Sequence, residues 1–232
     1  MKKVLVTGAT GSLGQEIVRE YAKNGFFVYI HYNTNKEKAQ NLLVEIDSKG
    51  ELITFDIQNK SSIKEALEDL KVDVLINNAG IIKDNLFFFM SDDEWEDVID
   101  TNLNSNFYIT KLISKNMMMQ KSGSIVNIAS ISGVNGNAGQ ANYSASKGGV
   151  IALTKTLSIE LGRYNIRVNA LAPAIVESEM IKDIPNLKEL KKSIPLGRFA
   201  TANEVAKCAY FMGIEATYVT GEVLNISGGL IR

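Results

Sequence analysis

The residues with the clearest chemistry are Tyr143 and Lys147, four positions apart in Ala-Asn-Tyr-Ser-Ala-Ser-Lys. On a helix that spacing puts both side chains on one face, with the ammonium close to the phenol. A free phenol has a pKa of about 10, and a neighbouring cation favours phenolate, drawing the value toward neutrality. Such a group can give a proton to a developing oxyanion or take one from an alcohol. The same spacing recurs at Tyr32 and Lys36. That copy straddles a strand end and a loop, with no hydroxyl placed to meet it, and is set aside. Ser130 supports Tyr143 instead. It follows the β-rich run Ser124 to Ile128, and a hydroxyl at a strand's carboxyl end can hydrogen-bond a carbonyl oxygen.

A second constellation lies near the N-terminus, in Thr7-Gly8-Ala9-Thr10-Gly11-Ser12-Leu13-Gly14. Between a strand and a helix, such a turn offers backbone N–H groups and a helix N-terminus to a pyrophosphate. Glycine lets the backbone approach the phosphates, and Gly14 lets the helix pack closely on the sheet. Gly8, Thr10, Gly11, Ser12, Leu13 and Gly14 are therefore candidate dinucleotide contacts. The second strand ends in His31-Tyr32-Asn33-Thr34-Asn35-Lys36, with no carboxylate before Glu37. An acidic residue here would hold a ribose 2′-hydroxyl, whereas an uncharged, donor-rich loop followed by lysine suits a 2′-phosphate. NADP(H) is thus the expected cofactor, with Tyr32, Asn33 and Thr34 at its ribose phosphate.

Composition removes several other chemistries. Cys208 is the single cysteine, so there is no intrachain disulfide, and His31 is the single histidine, so no metal site is expected. A serine hydrolase would have to use His31, which closes an apolar strand-like run and reads as structural. The formal net charge is −1 with signs interspersed, which argues against a nucleic-acid or anionic membrane partner. No apolar run approaches a membrane span of about 20 residues. The first residues lack the apolar stretch of a signal peptide, so a cytoplasmic location is expected.

These groups need elements to hold them, and β-rich runs alternate with helical patterns along the whole chain. Val4 to Val6 precedes a helix over 13–24, Phe27 to Tyr32 one over 36–47, and Leu52 to Phe55 one opened by Ser62 with Glu65. Val72 to Asn77 then leads to a long, interrupted helical region from Ser91, with Glu94 in capping-box spacing, to Gln120. Ser124 to Ile128, a helix over 142–164, Ile166 to Leu171, a polar helix near 187–193, a helix opened by Thr201 with Glu204, and Val223 to Ile226 complete the series. This rhythm predicts right-handed βαβ crossovers and a parallel sheet of about seven strands with helices on both faces. The absence of a linker predicts a single α/β domain over 1–232, doubly wound in the Rossmann manner.

Together these residues resemble the short-chain dehydrogenase/reductase family over essentially the whole chain. The resemblance also rests on Asp56-Ile57 after the third strand, Asn77-Asn78-Ala79-Gly80 after the fourth, Asn102, and Pro173 after the sixth. It implies a catalytic tetrad of Asn102, Ser130, Tyr143 and Lys147, with Lys147 also on the nicotinamide ribose and Asn102 supporting a water-linked proton relay. It implies adenine contacts at Asp56 and Ile57, ribose and sheet support from Asn78, Ala79 and Gly80, and nicotinamide contacts near Pro173, Val176 and Ser178. A homotetramer built through the two long helices and the last strand is implied too, as is a mobile substrate lid at 179–193.

Lys83-Asp84-Asn85-Leu86, Asp93-Glu94-Trp95, Gly139-Gln140-Ala141-Asn142-Tyr143, Pro195-Leu196-Gly197-Arg198 and Tyr218-Val219-Thr220-Gly221-Glu222 look most like the bacterial 3-oxoacyl-[acyl-carrier-protein] reductases. That likeness implies NADPH-dependent reduction of a 3-oxoacyl thioester in fatty acid synthesis. The acyl carrier protein is then the expected partner, and Lys121, Arg163 and Arg167 are candidates for its basic docking patch. Two alternatives stay open: reduction of another ketone in polysaccharide or secondary-metabolite synthesis, and a non-catalytic dinucleotide-binding regulator. Three places depart from the pattern. Ser12 replaces a usual glycine, Ala174 another, and Leu86-Phe87-Phe88-Phe89-Met90 is unusually aromatic, as an oligomer contact, an acyl-chain lining or core.

Overall fold

The computed structural model describes residues 1–177 and 187–230. Strands β1 (Lys3–Val6), β2 (Phe27–Tyr32), β3 (Gly50–Thr54), β4 (Val74–Asn77), β5 (Gly123–Ile128), β6 (Ile166–Pro173) and β7 (Val223–Ile226) form one seven-stranded sheet. Its order is β3-β2-β1-β4-β5-β6-β7 and every pairing is parallel. The chain winds outward one way from β1 to β3, returns to pair β4 with β1, and winds the other way to β7. Each parallel step needs a crossover, and helices supply them: α1 (Ser12–Lys23), α2 (Lys36–Glu45), α3 (Lys60–Leu67), α4 (Asp92–Ile99), α5 (Ser105–Gln120), α6 (Ile131–Asn135), α7 (Ala141–Gly162), α8 (Leu187–Ser193) and α9 (Ala202–Tyr210).

Strand alternation sends apolar side chains into two cores, one on each face. Val4 and Val6 join Ile17, Val18 and Tyr21 of α1 and Val205 of α9 on one face. Leu5 points the other way, with Leu75, Ile125 and Val168, to meet Ile63 of α3 and Ile109 and Ile113 of α5. A buried polar lattice stitches α5 and α7 to the central strands: Asn77 Nδ2 donates to Thr110 Oγ1 (2.9 Å) and Asn127 Oδ1 (2.8 Å), and Asn127 Nδ2 to Thr154 Oγ1 (2.8 Å). These bonds hold the helix that carries Tyr143 and Lys147 to β5, the strand that leads into Ser130.

Local signals acted mostly as expected. Ser91 with Glu94 and Thr201 with Glu204 form reciprocal capping boxes. Ser62 is a correction: Asn59 caps α3, accepting from the N–H groups of Ser61 and Ser62, while Ser62 Oγ accepts from Asp56 N (3.1 Å). The interruption in the long helical region is a π-helical stretch, Asp100–Asn104, between α4 and α5. The Phe run is a 3-10 turn, Phe87–Phe89, whose Phe88 is 93% exposed, so it is not core. Ala174 keeps φ out of the left-handed region and donates its N–H to Ile226 O (2.9 Å), so its methyl group brings no backbone strain.

Candidate active site

The winding of the sheet reverses between β1 and β4, and side-by-side loops leaving their carboxyl ends open a crevice there. A cleft of ≈590 Å³ fills it, lined on one bank by the glycine loop and on the other by Asn78, Ala79 and Gly80. Gly8 has φ +61°, and a Cβ there would lie 2.8 Å from Ala79 Cα. A Cβ on Gly14 would lie 2.3 Å from Gly8 O, so both positions demand glycine for close approach. Gly11 is the exposed residue before α1, with ordinary φ −70°. The N–H groups of Ser12, Leu13 and Gly14 open α1 and have no acceptor within the helix, so they leave free donors and the positive end of the helix dipole at the cleft wall. The serine in place of glycine keeps that donor.

Asn78 locks the two banks together. Its Nδ2 donates to Thr7 O (2.9 Å) and Gly8 O (3.1 Å), while Thr7 Oγ1 accepts from Asn78 N and Ala79 N. Thr10, Leu13, Tyr32, Asn33 and Thr34 line one end of the cleft, with Asp56 and Ile57 beside them. Lys36 begins α2 outside the lining. Tyr32 ends β2 before that helix starts, so this second Tyr/Lys pair shares no helix face. The far wall holds two further pairs: Gln58 Nε2 donates to Thr101 Oγ1 (2.8 Å), and Lys83, noted in the sequence only as part of Lys83-Asp84-Asn85-Leu86, pairs with Asp97. The hydrogen bond to Asp97 raises the Lys83 pKa and lowers that of Asp97. Neither pair has a local sequence signature, because β3, β4 and α4 meet only in the fold.

Tyr143, Lys147, Ser130 and Asn102 gather at the Gly80 end of the cleft. Tyr143 lies in the first turn of α7 and Lys147 one turn on, with its Nζ 5.6 Å from the Tyr143 ring centroid. Lys147 Nζ donates to Ile128 O at the end of β5 (2.7 Å). Ser130 caps α6, accepting from Ser132 N (3.1 Å), and its hydroxyl acts to lower the pKa of the Tyr143 phenol. Gly133 lets α6 lie against α7, since a Cβ there would come within 2.6 Å of the Lys147 backbone. Asn102 sits in the π-helical stretch, accepting from Ile81 N (2.8 Å) and donating to Ile81 O (3.0 Å) and Ser146 Oγ (3.2 Å). Over Gly80 the groups converge: a Cβ at that residue would lie 3.1 Å from Asn102 Oδ1 and 3.5 Å from Lys147 Nζ.

The electrostatics differ from the simple expectation of a lysine lowering its tyrosine. Enclosure of the hydroxyl end raises the Tyr143 pKa, the Ser130 hydroxyl opposes this, and the Asp84 carboxylate adds to the rise. Burial also lowers Lys147, to about 8. Desolvation disfavours the charged form of each group, so it dominates the pair. The result is a phenol that keeps its proton at neutral pH. Asp84 is itself held by Gln140 Nε2 (3.1 and 3.0 Å), just ahead of α7.

Other expected contacts are only partly placed here. Pro173 ends β6, and Val176 forms a lone bridge with Ala200. Ser178, and the portion of the expected lid over 179–186, lie outside the described residues, while 187–193 form α8. The three residues expected in the docking patch do not border the cleft of this chain. Lys121 and Arg163 precede the amino ends of β5 and β6, on the sheet edge opposite the cleft. Arg167 is committed within the fold, its guanidinium donating to Met212 O (2.6 Å) and Gly213 O (2.6 Å). Among the described residues there is no cluster of potential metal ligands, and no helix is long and apolar enough to cross a membrane.

Comparison with known proteins agrees with this geometry. A sequence profile of the family described as short chain dehydrogenase matches residues 2–188. The chain is 41% identical over 240 residues to the 3-oxoacyl-[acyl-carrier-protein] reductase FabG of Chlamydia pneumoniae, covering 99% of this chain and 96% of that protein. Identity to the protein of the same name from Staphylococcus epidermidis is 42% over 241 residues, covering 99% of this chain and 98% of the relative. Nodulation protein G of Rhizobium sp. (strain N33) is 40% identical over 237 residues, with 99% and 96% covered. With a doubly wound sheet, a glycine-lined cleft at its winding reversal and a family match across most of its length, this chain belongs to the short-chain dehydrogenase family.

Proposed function

We propose that this chain is an NADPH-dependent reductase that converts a 3-oxoacyl thioester, carried by acyl carrier protein, to the 3-hydroxyacyl form in fatty acid synthesis. The observation that carries this reading is Tyr143 one turn from the buried Lys147, whose Nζ lies 5.6 Å from the Tyr143 ring centroid and close over Gly80 of the glycine-lined cleft. The relatives named as 3-oxoacyl-[acyl-carrier-protein] reductases supply the substrate. Bound NADPH would supply the hydride. The cleft suits such a cofactor: glycines that tolerate no Cβ, a free helix terminus for the pyrophosphate, and no carboxylate among Tyr32, Asn33 and Thr34 where a 2′-phosphate would lie.

In this reading Tyr143 holds the proton that the ketone oxygen needs, and Ser130 Oγ shares that oxygen as its charge develops. The Lys147 ammonium favours phenolate only as the proton leaves, and Asn102 Oδ1 beside it holds the water that returns the proton. The whole chain acts as one domain, with 179–193 as the segment over the substrate, a tetramer as the assembly and the cytoplasm as its location. Initial rates across 3-oxoacyl carrier proteins, free thioesters and simple ketones, each with NADPH and NADH, test the proposal. Turnover of 3-oxoacyl-carrier substrate with NADPH preferred is expected. Inactivity on every 3-oxoacyl thioester with turnover of another ketone would overturn the substrate, and preference for NADH would overturn the cofactor.

A further inference from the structure

His31 is the single histidine of the chain and reads from sequence as a structural strand-end residue, yet it lies against the cleft and is only 2% exposed. Its ring is tied at both nitrogens. Nδ1 accepts from Gly8 N (3.0 Å), and Nε2 lies 3.1 Å from Phe55 O. An N–H can only donate, so Nδ1 carries no proton and the one proton of the neutral ring sits on Nε2, donating to Phe55. The ring stacks on Phe55, with centroids 4.0 Å apart and planes tilted 32°. The His31 carbonyl accepts from Ala9 N (3.0 Å). One residue thus holds two successive N–H groups of the glycine loop and ties that loop to the end of β3.

We propose that His31 is the positioning residue of the cofactor cleft: through its Nδ1 it fixes Gly8, and so sets the spacing between the phosphate-binding turn and the Tyr32–Thr34 loop. This rests on the reading of the cleft as a dinucleotide site. The left-handed Gly8 has little freedom of its own, being wedged against Ala79 on one side and beneath Gly14 on the other. His31 supplies the third restraint, from the β2 side. Burial lowers its pKa to about 4, so near neutrality the ring stays neutral and Nδ1 stays an acceptor. Residues 32–34 follow His31 directly, so a loop held by this ring is held in register with them.

The test is direct binding of NADPH, followed by its fluorescence, together with steady-state kinetics. His31→Phe keeps an aromatic ring against Phe55 and removes both ring hydrogen bonds; His31→Asn returns an amide oxygen near the Nδ1 position. We expect His31→Phe to raise the Kd and KM for NADPH at least tenfold while kcat at saturating cofactor changes less than threefold, and His31→Asn to recover most of the affinity. A folded His31→Phe that binds NADPH as tightly as wild type would overturn the inference and leave the reductase reading intact. Failure of the wild type to bind either NADPH or NADH would overturn the reading, and this inference with it. Nitrogen NMR of the unmodified chain needs no variant to fold: a His31 proton on Nε2 alone is expected, and a proton on Nδ1 would overturn the proposal.

Discussion

Enclosure and the Ser130 hydroxyl act in opposite senses on the Tyr143 phenol, and enclosure is the larger. A proton donor for reduction benefits from that balance, because the acid form predominates at neutral pH. Tyr143→Phe is expected to lower kcat by about 10²–10⁴-fold with NADPH affinity nearly unchanged, and Lys147→Ala to impair both; fluorescence titration and stopped-time assays separate the two. His31 adds a pH dependence of stability. Its folded pKa, about 4, is below the 6.5 of an exposed imidazole, so the unfolded chain binds the extra proton first. The stability this gives the native state is complete above pH 6.5 and is lost as pH falls from there through 4. Urea unfolding at pH 7 and pH 4 should show a loss of up to about 3 kcal/mol attributable to this residue, and a flatter curve in His31→Asn.

Glycine spacing and helix starts act at the level of elements, and they make contrasting predictions. Gly14→Ala places a methyl group against Gly8 O, where nothing flexible can yield, and is expected to cost about 1–3 kcal/mol together with cofactor affinity. Gly11→Ala meets only Gly8 O at 3.4 Å from a backbone any residue adopts, so denaturant melts should stay within about 0.5 kcal/mol of wild type. Thr201→Ala removes one half of a capping box and should cost about 1 kcal/mol in the same melts. Capping boxes at Ser91 and Thr201 were legible because their bonds are local. The Asn59 cap was not, since Ser62 and Glu65 have equally good spacing and the choice fell to Ser62 bonding Asp56. The π-helical stretch at 100–104 was visible only as an interruption, because period alone does not register one inserted residue.

Across the whole molecule, the winding reversal between β1 and β4 decides where a ligand sits, and the aromatic 3-10 turn leaves an apolar patch on the surface. Phe87, Phe88 and Phe89 are 69%, 93% and 74% exposed, an arrangement that favours a contact partner over solvent. Light scattering is expected to give a tetramer; a stable monomer would contradict the assembly inferred from the family. Lys121 and Arg163 stand on the edge opposite the cleft of their own chain, and Arg167 is occupied by backbone carbonyls.

Sequence alone determined the alternating order of strands and helices, the glycine turn and the pairing of Tyr143 with Lys147, because each rests on spacing within one element or one turn. Tertiary structure decided how those pieces act. It closed Asn102 and Lys147 over Gly80, aimed Lys147 at Ile128 O, enclosed the Tyr143 hydroxyl and made His31 a brace for Gly8. These outcomes depend on strands far apart in sequence lying side by side and on how much water that packing removes. Desolvation in particular is a property of the assembled interior, which is why the tyrosine turned out more basic than its lysine neighbour alone suggested.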